Sequence, residues 1–508
     1  MADPKQQPVP HAEMATEAID LTSEDIEMTA KTAEVNEQKR DNPFLVTFDE
    51  PYDPDNPKDW STAKKWTVTD VLSATGFNRI MVSTIMAPAI NTIASELHMS
   101  SAESVMALSI YLLATAFGPL FIGPLSEVYG RRPILHFSNI WFLIWNIVCG
   151  FANTKGTLIA ARFLAGFGAS AIYALAGGVL GDVWRPEQRG KSLGIYLLIP
   201  LLGAAVGPII GGFMAERTTW RWMFWSTSAF QGVMIIASYL AFHETFPQLI
   251  LRHRADKKRQ ETGDNRYYTA AEKLDGDRSV IRIVGRSLSR PMRLLAFHPI
   301  VQAVACLSGF YYGVTYIVLA TFSDLWVTKY HQRIDISGLH YIACALGEIS
   351  GSQIGGPLMD RIFAKLKKKA NGEIVPEYHL PMMVPAALIT PIGLLMYGWA
   401  AQSRVHWIVV DIGVFITTFG MQIGGQPLQA YIIDSYPDHA SSATAASQFI
   451  RSLTAFAFPL FAPYMYRSLG YGWGNTTIAL IALAISIPAP LLLWRYGARL
   501  RSKARESY

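Results

Sequence analysis

Three charged residues interrupt long apolar stretches of the sequence and are its first candidates for chemistry: Arg79, Arg162 and Glu348. A charge inside a membrane costs roughly 2.5–3.5 kcal/mol on insertion scales, so such residues are functional candidates by default. Glu348 could carry a proton reversibly, or it could be a packed acid that stays neutral. Arg79, next to Asn78, could bind an anionic group of a substrate or pair with an acid on a neighbouring helix. Arg162 lies in the outer third of its stretch and could instead extend its charge to the membrane surface.

Two sets of uncharged polar residues could line a binding cavity. Glutamines spaced i, i+4 and i+7 share one face of a helix: Gln422, Gln426 and Gln429. They either line a wet cavity, which we favour, or cross-link helices. Tyrosines with ring faces and hydroxyl groups suit amphiphilic organic molecules, although they could equally be packing residues: Tyr311, Tyr312 and Tyr316.

The elements that must position these residues are membrane-spanning helices. The chain has 508 residues, of which 51% are hydrophobic and only 16% are charged, whereas a soluble protein has about a quarter charged. Its apolar blocks are long enough to cross a ~30 Å hydrocarbon layer, and backbone in lipid is satisfied within a helix. Twelve blocks are predicted, at about 66–90, 105–126, 134–152, 158–181, 191–214, 219–242, 297–322, 336–359, 380–402, 405–433, 440–466 and 474–494. The fold class is therefore an all-α polytopic membrane protein.

An internal repeat divides these helices into two halves. The sequence GPLSE at 123–127 ends the second block, and GPLMD at 356–360 ends the eighth. The repeat predicts two six-helix bundles (6+6) related by pseudo-twofold symmetry, with a site between them. The predicted units are a disordered acidic tail (1–65), an N-terminal bundle (66–242), a linker (243–296), a C-terminal bundle (297–494) and a basic tail (495–508). The distribution of Lys and Arg among the loops places the linker and both tails in the cytoplasm.

The turn at 123–133 (GPLSEVYGRRP) is the most informative stretch. Small residues such as Gly123 let a neighbouring helix approach closely. An acid, Glu127, followed by a tight turn at Gly130 and by Arg131 and Arg132, makes a charge cluster at the membrane surface. Such a cluster can hold two halves together in one state and release them in another; the alternative is an ordinary basic cytoplasmic loop. The repeat makes Asp360 and Arg361 the corresponding gate candidates of the second half.

These motifs resemble those of the major facilitator superfamily, specifically the fungal twelve-span drug:proton antiporters. The turn at 123–133 is similar to that family's signature loop, with Glu127 where aspartate is commoner. The stretch RFLAGFG at 162–168, continuing to Asp182, and GAAVGPIIGG at 203–212 are also similar. The resemblance covers about residues 44–500.

The resemblance implies a role for each matched residue. Glu127, Arg131 and Asp182 would form a cytoplasmic gate, and Arg162 would take part in proton coupling. A pliable and closely packed helix that disfavours leak would be formed by the antiporter motif residues Gly203, Gly207, Pro208, Gly211 and Gly212. Arg451 resembles a family-typical arginine, which we expect to be structural.

Taken together, the sequence predicts a proton-coupled secondary transporter that exports drugs or fungal secondary metabolites, possibly carboxylated, by alternating access. The alternatives are an organic-acid or nutrient carrier, and a transporter-like sensor with a signalling tail. The expected partners are a small organic substrate, protons and the lipid bilayer, with no nucleic acid, no cofactor and no metal. We expect a monomer that is not an enzyme, in the plasma membrane in preference to the vacuole.

Overall fold

The computed structural model describes residues 43–275, 280–370, 375–436 and 440–506, and over these residues the chain is built from helices. The first 42 residues of the predicted acidic tail lie outside the described residues.

The N-terminal bundle contains eight helices, because two of its six spans include a second helical piece. They are α1 (Thr62–Thr84), α2 (Ile90–Glu96), α3 (Ser101–Tyr129), α4 (Arg131–Gly150), α5 (Lys155–Ala169), α6 (Ala171–Val183), α7 (Pro186–Arg217) and α8 (Arg221–Ala241). Helix α3 begins at a capping box between Ser100 and Glu103. It ends at Gly130, whose φ of 97° favours glycine.

Three linker helices precede the C-terminal bundle: α9 (Pro247–Thr262), α10 (Ala270–Asp275) and α11 (Val280–Phe297). The bundle then contains α12 (Pro299–Asp324), α13 (Ile334–Leu339), α14 (Tyr341–Lys369), α15 (Met383–Gln402), α16 (Trp407–Ser435), α17 (Ala440–Ser486) and α18 (Pro488–Glu506). Helix α12 continues as a π-helical turn at Leu325–Lys329. Helix α17 comprises two predicted spans, since Gly470 breaks it with a φ of 72°.

Eight segments of the described residues are long and apolar enough to cross a membrane: Ser101–Tyr129, Arg131–Gly150, Lys155–Val183, Gly194–Arg217, Pro299–Lys329, Pro376–Gln402, Trp407–Ser435 and Ala440–Ser502. The last covers two of the twelve predicted blocks. The remaining blocks fall on α1, α8 and α14, which form helices but carry more polar residues. Two of these three helices hold the predicted membrane charges Arg79 and Glu348.

The two bundles pack against each other along α3 and α17 and along α7, α13 and α14. We call the end where α1 begins and α8 ends the linker end. At the opposite end, Asn91 donates a hydrogen bond to Asp324 (3.0 Å) and Arg467 donates one to Ser101 (2.6 Å). Arg333 pairs there with Glu216 at 3.5 Å. These polar contacts tie the bundles together at the end away from the linker.

A further contact between the bundles lies midway along the helices. The hydroxyl groups of Thr115 on α3 and Ser452 on α17 lie 3.0 Å apart.

Residues 43–48 and 251–275 form a small unit of their own. The amide of Val46 donates a hydrogen bond to the carbonyl of Tyr268 (2.9 Å), whose own amide donates to Phe44 (3.0 Å). The side chain of Val46 is only 2% exposed. The prediction of disorder is therefore wrong for residues 43–48, because this short apolar segment finds a partner in the linker.

Candidate functional site

Arg162 of α5 is fully buried and is satisfied by the backbone. Its guanidinium donates hydrogen bonds of 2.9–3.3 Å to four carbonyl oxygens, those of Val82, Ser83, Ala107 and Leu108. Val82 and Ser83 lie in the last turn of α1, where carbonyls lack a helical partner and the helix dipole is negative. The cation thus caps α1. The alternative that Arg162 extends to the membrane surface is wrong, because these carbonyls hold it inside the bundle.

Arg79 and Asn78 of α1 also lie inside the N-terminal bundle. Arg79, 1% exposed, donates hydrogen bonds to the side chains of Asn139 and Ser138 and to the carbonyl of Ala169. Asn78 donates to Gln231 at 3.0 Å. No described acid pairs with Arg79, so the alternative of an ion pair with an acid on a neighbouring helix is wrong. The side-chain amide oxygen of Asn139 and the carbonyl of Ala169 at the end of α5 accept its hydrogen bonds instead. A role of Asn78 and Arg79 in substrate binding stays a prediction.

The structure brings Arg131 and Asp182 together at the linker end. The two side chains form an ion pair (3.3 Å), and Arg131 also donates a hydrogen bond to Ser126 (2.5 Å). Both partners belong to the N-terminal bundle. The gate role predicted for the pair is not tested by these contacts.

The acid at the start of α4 is Glu244 and not Glu127. The carboxylate of Glu244 accepts hydrogen bonds from the amides of Arg131 (2.9 Å) and Arg132 (3.1 Å). These are amides of a helix N-terminus, where negative charge is favourable. A Cβ at Gly130 would collide with this carboxylate. Glu127 is exposed and makes no hydrogen bond or ion pair with a described residue, since its side chain points away from the cluster.

In the C-terminal bundle, Asp360 and Arg361 are exposed and have no ion pair with a described residue. Other ion pairs fasten this end of the bundle. His379 contacts Asp434 at 2.8 Å, and Arg501 pairs with the buried Glu377. The repeat in sequence therefore does not reproduce the Arg131–Asp182 pair of the first half in the described residues.

Glycines of α7 allow the backbone of α1 to approach closely. A Cβ at Gly203 would lie 2.5 Å from the carbonyl oxygen of Phe77, and one at Gly207 would lie 2.6 Å from that of Met81. Gly211 faces the carbonyl of Ile85 still more closely. The other two motif residues, Pro208 and Gly212, face the C-terminal bundle. Gly212 lies against Ile334, and the carbonyl of Pro208 lies against Gly338.

Glu348 of α14 is half-buried and makes no hydrogen bond or ion pair with a described residue. Its electrostatic neighbours are Tyr316 and Cys344. Tyr316 of α12 is itself in electrostatic contact with Tyr111 of the N-terminal bundle. The acid therefore lies within electrostatic range of a tyrosine that itself interacts with the N-terminal bundle.

The three glutamines of α16 divide between the two predicted roles. Gln426 cross-links helices, because its amide donates hydrogen bonds to the side chain (3.0 Å) and the carbonyl (3.2 Å) of Ser352 on α14. Gln422 and Gln429 are half-buried and make no side-chain hydrogen bond to a described residue.

The three tyrosines of α12 also separate. Tyr311 donates a hydrogen bond to Ser486 (2.8 Å) within the C-terminal bundle, so it packs inside that bundle. Tyr312 and Tyr316 lie on another face, with ring centroids 5.4 Å apart, as expected for residues four apart on a helix. The guanidinium of Arg451 on α17 lies 4.4 Å from the ring centroid of Tyr312.

Comparison with known proteins gives this architecture its family. The model of the Major Facilitator Superfamily matches residues 72–459. The chain belongs to the major facilitator superfamily. Among curated members, it is 56% identical over 424 residues to "Probable efflux pump mfs2" of Aspergillus flavus, which covers 84% of this chain and 100% of that relative. It is 42% identical over 465 residues to "Efflux pump vrtL" of Penicillium aethiopicum, covering 91% and 92% of the two chains.

Solved members of the superfamily share the fold at low sequence identity. The xylose transporter XylE from E. coli, in a partially occluded inward-open conformation, matches with a TM-score of 0.61 and 15% identity over 86% of this chain and 98% of that one. A bacterial homologue of the human lysosomal transporter Spinster matches with a TM-score of 0.60 and 14% identity, over 87% and 99%. Two six-helix bundles are therefore the architecture of this superfamily member.

Proposed function

We propose that this transporter exports small organic compounds, such as drugs or fungal secondary metabolites, in exchange for protons. The efflux pumps at 56% and 42% identity support the direction of transport, which is export. The observation that carries the proton-coupling part is Glu348, an acid in the middle of a predicted span on α14 that has no hydrogen bond or ion pair with a described residue. An acid without a fixed counter-charge can be neutral or charged as the bundles move, whereas a paired acid stays ionised.

The proposed cycle uses the two ends of the molecule alternately. Substrate enters between the bundles from the linker end, which we place in the cytoplasm together with both termini. Proton binding and release at Glu348 accompany a rocking of the bundles that breaks the contacts of Asn91, Arg333 and Arg467 at the opposite end. The ion pair between Arg131 and Asp182 would then act at the closing linker end. We place this monomer in the plasma membrane, where export removes a compound from the cell.

A two-stage experiment tests this proposal. In a producing fungus, deletion of the gene should raise the cellular content of one or more secondary metabolites and lower their content in the medium. The compound so identified is then offered to inside-out proteoliposomes that contain the purified transporter and an imposed pH gradient. We expect accumulation that a protonophore abolishes. If the protonophore leaves accumulation unchanged, the transporter does not exchange its substrate for protons.

Two variants assign the proton to a residue. Glu348→Gln should lose pH-driven accumulation while binding the same compound. Glu261→Gln, a change of an exposed acid on α9, should accumulate the compound as the wild type does. Loss of intracellular instead of extracellular metabolite on gene deletion would favour the nutrient-carrier alternative.

A further inference from the structure

We propose that Arg451, together with Tyr312 and Tyr173, forms an anion subsite that binds the carboxylate of an aromatic substrate. This inference rests on the proposed export function, which it extends by naming a substrate class. The sequence offers Arg79 as one candidate for binding an anionic group, whereas the contacts of the described residues make Arg451 the better candidate.

Arg451 differs from the buried arginines of the bundles in having no acceptor among the described residues. It is half-buried, and its side chain makes no hydrogen bond or ion pair with a described residue. Arg79, Arg131 and Arg162 each donate at least two side-chain hydrogen bonds. A guanidinium carries five N–H donors and does not lose its proton in a protein. A cation of this kind inside a membrane requires an acceptor, which a substrate anion can supply.

Tyr312 lies beside the guanidinium. The Cζ atom of Arg451 lies 4.4 Å from the centroid of the Tyr312 ring, which is a cation–π contact. No guanidinium N–H of Arg451 donates to a described residue, so these groups are available for a bidentate pair with a carboxylate, which arginine favours. The cation–π contact and a carboxylate pair therefore do not compete for the same donors.

Tyr173 of α6 brings the N-terminal bundle to the same place. It is half-buried and lies close enough to Tyr312, Tyr316 and Arg451 for an electrostatic interaction with its hydroxyl group. Ser452, the next residue after Arg451, lies 3.0 Å from Thr115 of the N-terminal bundle. The subsite thus has one wall on each bundle, so a bound anion would contact both and would respond to their movement.

The chemistry of the walls selects the class of anion. Tyrosine ring faces favour a planar aromatic body, and a single stacked guanidinium favours one carboxylate. A cation would meet like charge at Arg451 in a region of low dielectric, which is unfavourable. Arg451 is not among the groups that act electrostatically on Glu348, although Tyr316 interacts both with Glu348 and with the subsite residues Tyr312 and Tyr173. The proposed proton and anion sites can therefore be disturbed by separate substitutions.

Two xanthene dyes of similar size and opposite charge provide the binding test. Fluorescein carries a carboxylate and is anionic at neutral pH, whereas in rhodamine 123 that group is a methyl ester and the dye is a cation. Fluorescence polarisation with the transporter in nanodiscs should show fluorescein binding more tightly than rhodamine 123. Arg451→Gln should weaken fluorescein binding about tenfold or more, as expected for loss of a hydrogen-bonded charge. It should change rhodamine 123 binding less than about twofold. Arg451→Lys should retain part of the affinity, because it keeps the charge but not the fork.

The matched control is Arg495→Gln. Arg495 is an exposed arginine that lies 6.0 Å from the ring of its neighbour Tyr496 and has no ion pair with a described residue. This control should bind both dyes as the wild type does. Equal fluorescein affinity in wild type and Arg451→Gln, no fluorescein binding to the wild type, or tighter binding of rhodamine 123 would each overturn the subsite. If Arg451→Gln does not fold, the comparison of both dyes on Arg451→Lys decides in the same way.

The result is independent of proton exchange. Fluorescein binding that depends on Arg451, in a protein without pH-driven transport, would keep the subsite and reject the exchange. The opposite result, pH-driven export of a neutral metabolite without fluorescein binding, would keep the exchange and reject the subsite.

Discussion

The two bundles differ in whether the charged side chains of their predicted spans have hydrogen-bond partners. In the N-terminal bundle, Arg79 and Arg162 are buried and surrounded by carbonyl and amide oxygens. In the C-terminal bundle, Glu348 and Arg451 are half-buried and have neither a hydrogen bond nor an ion pair with a described residue. A charge whose partners are part of the fold stabilises one arrangement of helices, whereas a charge without such a partner is available to a proton or a ligand.

The positions of the two buried arginines explain why no acid is needed. Arg162 binds carbonyls in the last turn of α1, and Arg79 binds the carbonyl of Ala169, the last residue of α5. The last carbonyls of a helix have no helical donor and carry the negative end of its dipole. Each arginine therefore joins a helix end to the rest of the bundle, which is a structural role that does not require a counter-ion.

The largest effect on stability is expected for Arg162→Ala. The change leaves the carbonyls of Val82 and Ser83 buried without a donor, at about 1–3 kcal/mol each. We expect a strong fall in the yield of monodisperse protein and in its melting temperature in detergent. Arg451→Ala removes the same charge from a position without partners and should melt close to the wild type. Equal melting temperatures for the two variants would contradict the conclusion that Arg162 stabilises the fold and Arg451 does not.

A smaller loss is expected for Arg79→Met, which keeps the length of the side chain. Asn139 retains the hydrogen bond that its side-chain oxygen accepts from Gln231 (3.2 Å), so one of the partners of Arg79 stays satisfied. We expect destabilisation of about 1–3 kcal/mol, seen as a melting temperature between those of Arg162→Ala and the wild type. If Arg79→Met melts like the wild type but does not bind fluorescein, Arg79 and not Arg451 is the residue that binds the anion.

The smallest effect is expected for an exposed pair at the opposite end, Glu96 and Arg221, which lie 2.6 Å apart. The hydrogen bond from Arg221 lowers the pKa of Glu96 below its ordinary value. The contribution of this pair to stability is therefore present above the ordinary carboxyl pKa and is lost as the pH falls through the lowered one. Because the carboxylate is 45% exposed, Glu96→Gln should cost no more than about 1 kcal/mol at neutral pH. A melting curve against pH, with and without the change, measures it, and an effect as large as that of Arg79→Met would contradict the ranking.

The sequence predicts the helices well, because a membrane span is a local property of about 20 consecutive residues. Spacing along a helix also indicates which residues share a face, as was predicted for Gln422, Gln426 and Gln429. Sequence does not predict which face meets which neighbour. Tyr311, next to Tyr312, contacts Ser486 inside its own bundle, and Arg79 finds Asn139 and not an acid. Such partners are decided by helix rotation and packing, to which residues distant in sequence contribute.

The linker-end cluster shows the same limit. The motif at 123–133 predicts a charge cluster, and Arg131 does meet Asp182. However, the acid at the start of α4 is Glu244, more than a hundred residues away in sequence, and the motif contains no sign of it. Arg451 was expected to be structural because it resembles a family-typical arginine. Its lack of a hydrogen bond or ion pair with a described residue can be recognised only from the contacts of the folded chain.

Proton binding and release at Glu348 is the central step of the proposed transport cycle. A comparison of two transport modes isolates this step. Proteoliposomes with wild type or Glu348→Gln are compared in two modes, exchange of labelled for unlabelled substrate and accumulation driven by a pH gradient. We expect Glu348→Gln to exchange labelled for unlabelled substrate at a rate near that of the wild type and to lose accumulation driven by the pH gradient. Accumulation by Glu348→Gln at the wild-type level would contradict this expectation.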